Sequence, residues 1–201
     1  MMWLNRFVGG LWLAGLLSVA GCASVPPPTV QPAPPLAASV NVLPSVFAAE
    51  GRLAVNAAGK GHYGGFVWQH ENQTDVLDIV SPLGSVVARL TRSPSSVVLE
   101  NGHGRQEAAD ADTLTTRLLG YPLPLDPLAW WLSGLPAPDA SWVARPEGGE
   151  QLGWQISFAD WRDTPLGVRP HKISLVRADL TVRFVVQGWR AEYVPAPAAA
   201  E

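Results

Sequence analysis

A disulfide framework is excluded from the start, because the 201 residues hold one cysteine, Cys22. Charge is scarce as well. Charged residues make up 15 % of the chain and the formal net charge is −3, too mild a balance to imply nucleic acid or an anionic surface as partner. His62, His70, His103 and His171 are scattered without metal-ligand spacing. No nucleophile elbow, P-loop or dinucleotide fingerprint occurs. Gly59-Lys60-Gly61 lacks the Ser or Thr of a phosphate loop and fits a hairpin turn. Asp75 and Asp78 stand three apart in a strand-like run, so alternation puts them on opposite faces, a poor acid–base pair. Arg52 is a candidate for an internal ion pair. Asp160, Arg162 and Asp163 read as a polar turn of solvated charge beside Trp161. Nothing here points to catalysis, and no metal or cofactor is expected.

What is present begins with an address. Arg6 supplies a positive n-region, and Phe7 to Val19 form an apolar run of signal-peptide length, too short to span a bilayer. Val19-Ala20-Gly21-Cys22 then looks like a bacterial lipobox, small residues ahead of a cysteine that becomes diacylated, freed and N-acylated. An ordinary secreted protein with a spare thiol is the plain alternative. Ala23 rather than Asp follows, which by the sorting rule of enteric lipoproteins favours outer-membrane delivery. The buried acyl chains make a durable anchor, each CH₂ being worth ~0.8 kcal/mol. Residues 1–21 therefore read as a signal peptide. Residues 22–45 read as the acylated Cys22 plus a tether rich in Pro and Ala, and 193–201 as a disordered tail of similar composition. The folded domain is expected over 46–192.

Within that domain the apolar residues recur with period two, the mark of strands. Leu53 and Val55, Phe66 and Trp68, Leu77 and Ile79, and Val97 and Leu99 set the pattern. Trp154, Ile156 and Phe158 continue it, and Leu180, Val182, Phe184 and Val186 form the clearest run. Links at Ala58–Gly61, Glu71–Gln73 and Asn101–Gly102 fit hairpins. The count comes to roughly nine to eleven strands, mostly antiparallel neighbours. One helix is expected at about Ala109–Leu119, capped by Asp110 or Asp112 and closed by Gly120. A second is expected over Asp126–Ser133, with Asp126 as N-cap, Pro127 in the first turn and Gly134 and Pro136 as stops. Two helices inserted between two sets of strands should lie across one face of a curved sheet.

The second helix is unusually apolar. Leu128, Trp131, Leu132 and Leu135 follow the i, i+3, i+4, i+7 stripe of a core-facing helix, and Trp130 lies off that stripe. Such a helix is either buried on all sides or a lid over an apolar cavity whose rings touch a hydrophobic guest. The nine tryptophans bear on the choice. Trp3 and Trp12 leave with the signal peptide, and most of the rest fill core or hairpins, but rigid rings also make good pocket walls. Ser81-Pro82-Leu83-Gly84 fits a type I turn position by position, which leaves Leu83 on the tip. Tips usually carry polar residues. Leu83 either folds back on a neighbouring strand or is a hydrophobic probe for a membrane or partner, worth about 1.5–3 kcal/mol when buried.

These motifs converge on a family. Gly51-Arg52-Leu53, Phe66-Val67-Trp68-Gln69, Ser81-Pro82-Leu83-Gly84 and the Ala-Asp helix come first. Leu119-Gly120-Tyr121-Pro122-Leu123-Pro124-Leu125, Trp131-Leu132-Ser133-Gly134-Leu135-Pro136, Gly153-Trp154-Gln155-Ile156 and a closing Trp189 follow. In that order, behind a lipobox, they resemble the LolB family of outer-membrane lipoprotein receptors. The resemblance implies an open, half-barrel antiparallel sheet with a helical lid over an apolar cavity for acyl chains. It implies a LolA-like periplasmic carrier as partner, acylated lipoproteins as cargo, a monomeric receptor facing the periplasm, and Leu83 as the residue used in membrane insertion. Candidates for the cavity and lid are Trp68, Leu128, Trp130, Trp131, Leu132, Trp154 and Phe184. The long Pro/Ala tether and tail depart from the best-known members. Two other readings remain: a LolA-like carrier or lipid sensor, which the lipobox argues against, and a scaffolding envelope lipoprotein with a filled core and no guest.

Overall fold

The structure is a computed structural model that describes residues 42–192. The expected signal peptide, Cys22, most of the tether and the C-terminal tail lie outside the described residues.

Eleven strands form one sheet in which every neighbouring pair is antiparallel. In chain order they are β1 Val46–Ala57, β2 Lys60–Glu71, β3 Thr74–Val80, β4 Val86–Arg92, β5 Val97–Asn101 and β6 Gly104–Ala108, then β7 Val143–Arg145, β8 Gly148–Gln151, β9 Trp154–Thr164, β10 Gly167–Arg177 and β11 Leu180–Arg190. The two helices, α1 Ala111–Leu119 and α2 Leu125–Leu132, interrupt the meander between β6 and β7. The sheet order is β6-β5-β4-β3-β2-β1-β11-β10-β9-β8-β7, so the first and last strands meet at its centre and β6 and β7 are its edges. A sheet this wide must curl, and the curl is what gives it a concave face.

Alternation decides what that face carries. Leu53 and Val55, Phe66 and Trp68, Leu77, Leu90, Ile173 and Leu175, and Val182, Phe184 and Val186 all point inward and are buried. Arg52 is exposed on the outer side of β1, so it serves no internal pair. The register shifts between Glu50 and Gly51. A Cβ at Gly51 would come within 2.1 Å of the Val185 carbonyl oxygen, so the strand bends only because no side chain is there.

Both helices lie where the sequence places them, with one correction. α1 has Asp110 as N-cap, its side chain accepting from the Thr113 N–H, and Gly120 closes it in the left-handed conformation at φ 83°. α2 begins one residue earlier than expected. Pro124 occupies its N-cap position and no side chain caps it, while Asp126 sits inside the first turn. Asp126 therefore does not cap; its carboxylate faces Arg92 at 3.3 Å. A second correction concerns Asp160 to Asp163. β9 runs through them to Thr164, and Asp160 takes φ 59° within the strand instead of opening a turn. Asp160 still pairs with Arg162, at 2.6 Å, in a partly solvated position.

Candidate functional site

The concave face is where the sheet's apolar residues and α2 meet. α2 buries Leu125, Pro127, Leu128, Ala129, Trp131 and Leu132. Of the lid and cavity candidates, Trp68, Leu128, Trp131, Leu132, Trp154 and Phe184 fall in one buried cluster, and Trp130 packs against it half-buried. Trp131 and Trp154 meet at 6.4 Å between ring centroids. Phe184 meets Phe66 edge-on at 5.3 Å.

The face is closed in this structure. Between α2 and the sheet there remains a narrow, partly open void of about 10 Å³, lined by Leu53, Leu77, Leu123, Pro124, Leu125, Leu128, Leu175, Val182 and Phe184. That is room for no more than about one water molecule, far from an acyl chain. The hollow expected from sequence is filled by the leucines of α2 and its connector. Larger hollows, of about 320 Å³ beside β7, β8 and the β8–β9 turn and about 180 Å³ along β9, β10 and β11, do not involve α2; the first has a mixed lining that includes Trp154, and the second is mainly apolar and includes Phe184. Of the expected wall residues, Leu128 and Phe184 border the void under α2. The tryptophans do not, because their area is spent on core packing and on hydrogen bonds. The other wall residues were legible in part: Leu53, Leu77 and Val182 belong to strand runs whose alternation already assigns them one face. Leu123 and Leu125 sit in the proline-rich connector, where no periodicity marks them.

Polar groups pin this apolar assembly at two places. At one edge Asp75 is buried on the inner side of β3. Its carboxylate accepts from Trp68 Nε1 at 3.0 Å, lies 2.7 Å from His70 Nδ1 and pairs with Arg92, whose Nε donates at 2.9 Å. A buried carboxylate is tolerable when it is surrounded in this way by donors and a guanidinium. Asp78 faces the other side of β3 and pairs with Arg89 there, so the two aspartates are split as alternation demands. At the other edge Gln151 receives Trp131 Nε1 at 2.8 Å. Asp75 and Gln151 were missed as organising residues, since a lone polar residue in a strand carries no signal of its burial.

The β3–β4 hairpin ends in a well-made turn. The Gly84 N–H donates to the Ser81 carbonyl at 2.9 Å, the Ser81 N–H donates to Ser85 O at 2.8 Å, and Gly84 takes φ 88°. Leu83 is 95 % exposed. It does not fold back, because the closed turn holds its side chain clear of both strands. Val86 and Val87 just behind it are also exposed.

Among the described residues no helix is long and apolar enough to cross a membrane, and no group of three or more His, Cys, Asp or Glu could hold a metal.

Fold and site together define a class: an open antiparallel sheet whose concave apolar face is covered by a helix, with one apolar hairpin tip left in water. The family model described as "Outer membrane lipoprotein LolB" matches residues 45–189, and the chain belongs to the LolB family. It is 38 % identical over 181 residues to an outer-membrane lipoprotein LolB of Chromobacterium violaceum, covering 90 % of this chain and 97 % of that one. It is 36 % identical over 181 residues to that of Thiobacillus denitrificans, covering 87 % and 92 %. A solved structure of a LolA superfamily protein from Nitrosomonas europaea aligns with a TM-score of 0.47 at 9 % identity, over 76 % of this chain and 88 % of the other.

Proposed function

We propose that this protein is an outer-membrane lipoprotein receptor. It takes acylated lipoproteins from a LolA-like periplasmic carrier, holds their acyl chains against the concave face under α2, and releases them into the outer membrane. The observation that carries this reading is the family match over residues 45–189. The apolar concave face and the exposed Leu83 support it. Cys22, cut free of residues 1–21 and acylated, would anchor residues 46–192 to the membrane through the Pro/Ala-rich stretch, with no other prosthetic group.

The energetics need no nucleotide. A chain of ~16 carbons exposed to water costs roughly 13 kcal/mol, at ~0.8 per CH₂, so free passage through the periplasm is blocked. A face that replaces the water removes most of that barrier. Transfer then runs downhill if affinity rises from carrier to receptor to bilayer. The narrow void adds a step: α2 must move outward before a chain fits. The leucines of α2 hold the face dry until a guest takes their place. Leu83 would enter the bilayer at the moment of release and bring the receptor's cargo to the lipid surface.

The filled core favours one other reading, a scaffolding lipoprotein that binds no guest. Reconstituted transfer separates the two. Acylated lipoprotein loaded on its carrier is mixed with liposomes bearing this protein, and cargo in the liposome fraction is measured. Delivery that depends on this protein supports the receptor; no binding of acylated cargo or of a hydrophobic fluorophore leaves the scaffold.

A further inference from the structure

The concave face is closed, so a guest must lift α2, and the contacts at its two ends are unequal. At the C-terminal end Gln151, 2 % exposed, makes four hydrogen bonds. Its Oε1 accepts from Trp131 Nε1 at 2.8 Å and from the Ala137 N–H at 2.9 Å, and its Nε2 donates to the Ala137 and Ala140 carbonyls, each at 2.8 Å. One buried amide thus ties α2 and the loop after it to β8. Gly134, at φ 78°, is wedged so tightly that a Cβ there would lie 2.6 Å from the Trp161 ring. Releasing this end would strand a buried amide and an indole N–H without partners, which is expensive.

The N-terminal end is held to the sheet by apolar packing of Leu123, Leu125 and Leu128, which an acyl chain can replace, and by few polar ties. It has no side-chain cap. Leu123 donates its N–H to Thr115 Oγ1 at 2.8 Å, a tie to α1 and not to the sheet. The polar contact from this end to the sheet is the 3.3 Å pair between Arg92 and Asp126, whose carboxylate side is 68 % exposed. Such a pair contributes little and opens readily. Arg92 itself stays fixed on buried Asp75. The void of about 10 Å³ lies at this end too, against Leu123, Pro124, Leu125 and Leu128.

We propose that α2 is a lid hinged at Gln151 and latched by Arg92 and Asp126, so that an acyl chain enters between the N-terminal end of α2 and strands β3 and β4. Gln151, Arg92 and Asp126 are positioning residues in this scheme, which rests on the receptor reading above.

The test uses the full-length acylated protein in liposomes, with delivery of an acylated lipoprotein from its carrier as readout. One variant carries Ser95→Cys, in the turn after Arg92, and Asp126→Cys; a second carries Ala137→Cys and Leu152→Cys, leaving Gln151 intact. Each pair is bridged with a short, cleavable bifunctional thiol reagent. Bridging the first pair is expected to lower delivery by more than about tenfold and cleavage to restore it, while bridging the second leaves delivery within about twofold. Delivery that survives the first bridge, or fails under the second, overturns the hinge. In parallel, Asp126→Asn is expected to speed cargo uptake about two- to fivefold, the span of a surface ion pair, with an unchanged urea midpoint, and Asp126→Glu to restore the wild-type rate. Unchanged or slower uptake in Asp126→Asn removes the latch. If the unmodified protein itself delivers nothing, the receptor reading fails instead.

Discussion

Leu83 and Asp75 break the usual rules of residue placement in opposite directions. Leu83 is apolar and 95 % exposed, so it supports nothing around it. Leu83→Glu is therefore expected to leave stability within about 0.5 kcal/mol of wild type, read as an unchanged urea midpoint, and to abolish delivery of cargo to liposomes. A variant that unfolds would show that the side chain packs. Asp75 is charged and buried, and it supports Trp68, His70 and Arg92 together. Asp75→Ala leaves the Trp68 and His70 donors without their acceptor and Arg92 with only the exposed Asp126, a loss of about 3–5 kcal/mol for a broken buried pair. Equilibrium urea unfolding should show a fall of that order. The contrast also explains what was readable. The turn chemistry of Ser81 to Gly84 places Leu83 on a tip from sequence alone, because it is local. The burial of Asp75 is set by β2 and β4, whose partners His70 and Arg92 come together only once the sheet forms.

At the scale of elements, strands and α1 were legible because their signals are local and repeated. Period-two alternation marks the strands, and Asp110 with Gly120 brackets α1. α1 also carries a pH dependence. The Thr113 N–H bonds to the Asp110 carboxylate and holds its pKa below the ordinary 3.8. A depressed carboxyl stabilises the fold above its unfolded value and loses that contribution as pH falls through the folded one. Hydrogen exchange in α1 should thus accelerate as pH is lowered below 3.8, after correction for intrinsic rates, and Asp110→Asn, which cannot titrate, should flatten that limb. α2 was legible as a helix but not in its start. Asp126 and Pro127 carry the local chemistry of a helix start, and packing of Leu125 into the core moves that start one residue back. Its C-terminal end is stricter. Gly134→Ala would force a Cβ into both a left-handed backbone and the Trp161 ring. The expected cost is about 1–3 kcal/mol, visible as a lowered thermal midpoint.

For the whole molecule the decisive feature is that one apolar face serves two occupants. In this structure α2 fills it, and under the receptor reading an acyl chain displaces α2. The family resemblance implies a lid over an open hollow, while the apolar pattern of α2 by itself fits a helix buried on all sides as well, because a pattern counts apolar residues without showing how they share space; Leu123, Leu125 and Leu128 against Leu53, Leu77 and Phe184 leave about 10 Å³. Competition between lid and guest has a measurable consequence. Leu128→Ala removes a buried side chain from the boundary between them. Stability should fall by about 2–5 kcal/mol, the range for such truncations in a core that cannot fully collapse. Affinity for a hydrophobic fluorophore should rise, since the guest fills space the leucine vacated and displaces a more weakly held lid. A receptor shows both changes in paired urea and fluorophore titrations. A scaffold shows the first alone, because a core that never opens loses packing without gaining a ligand.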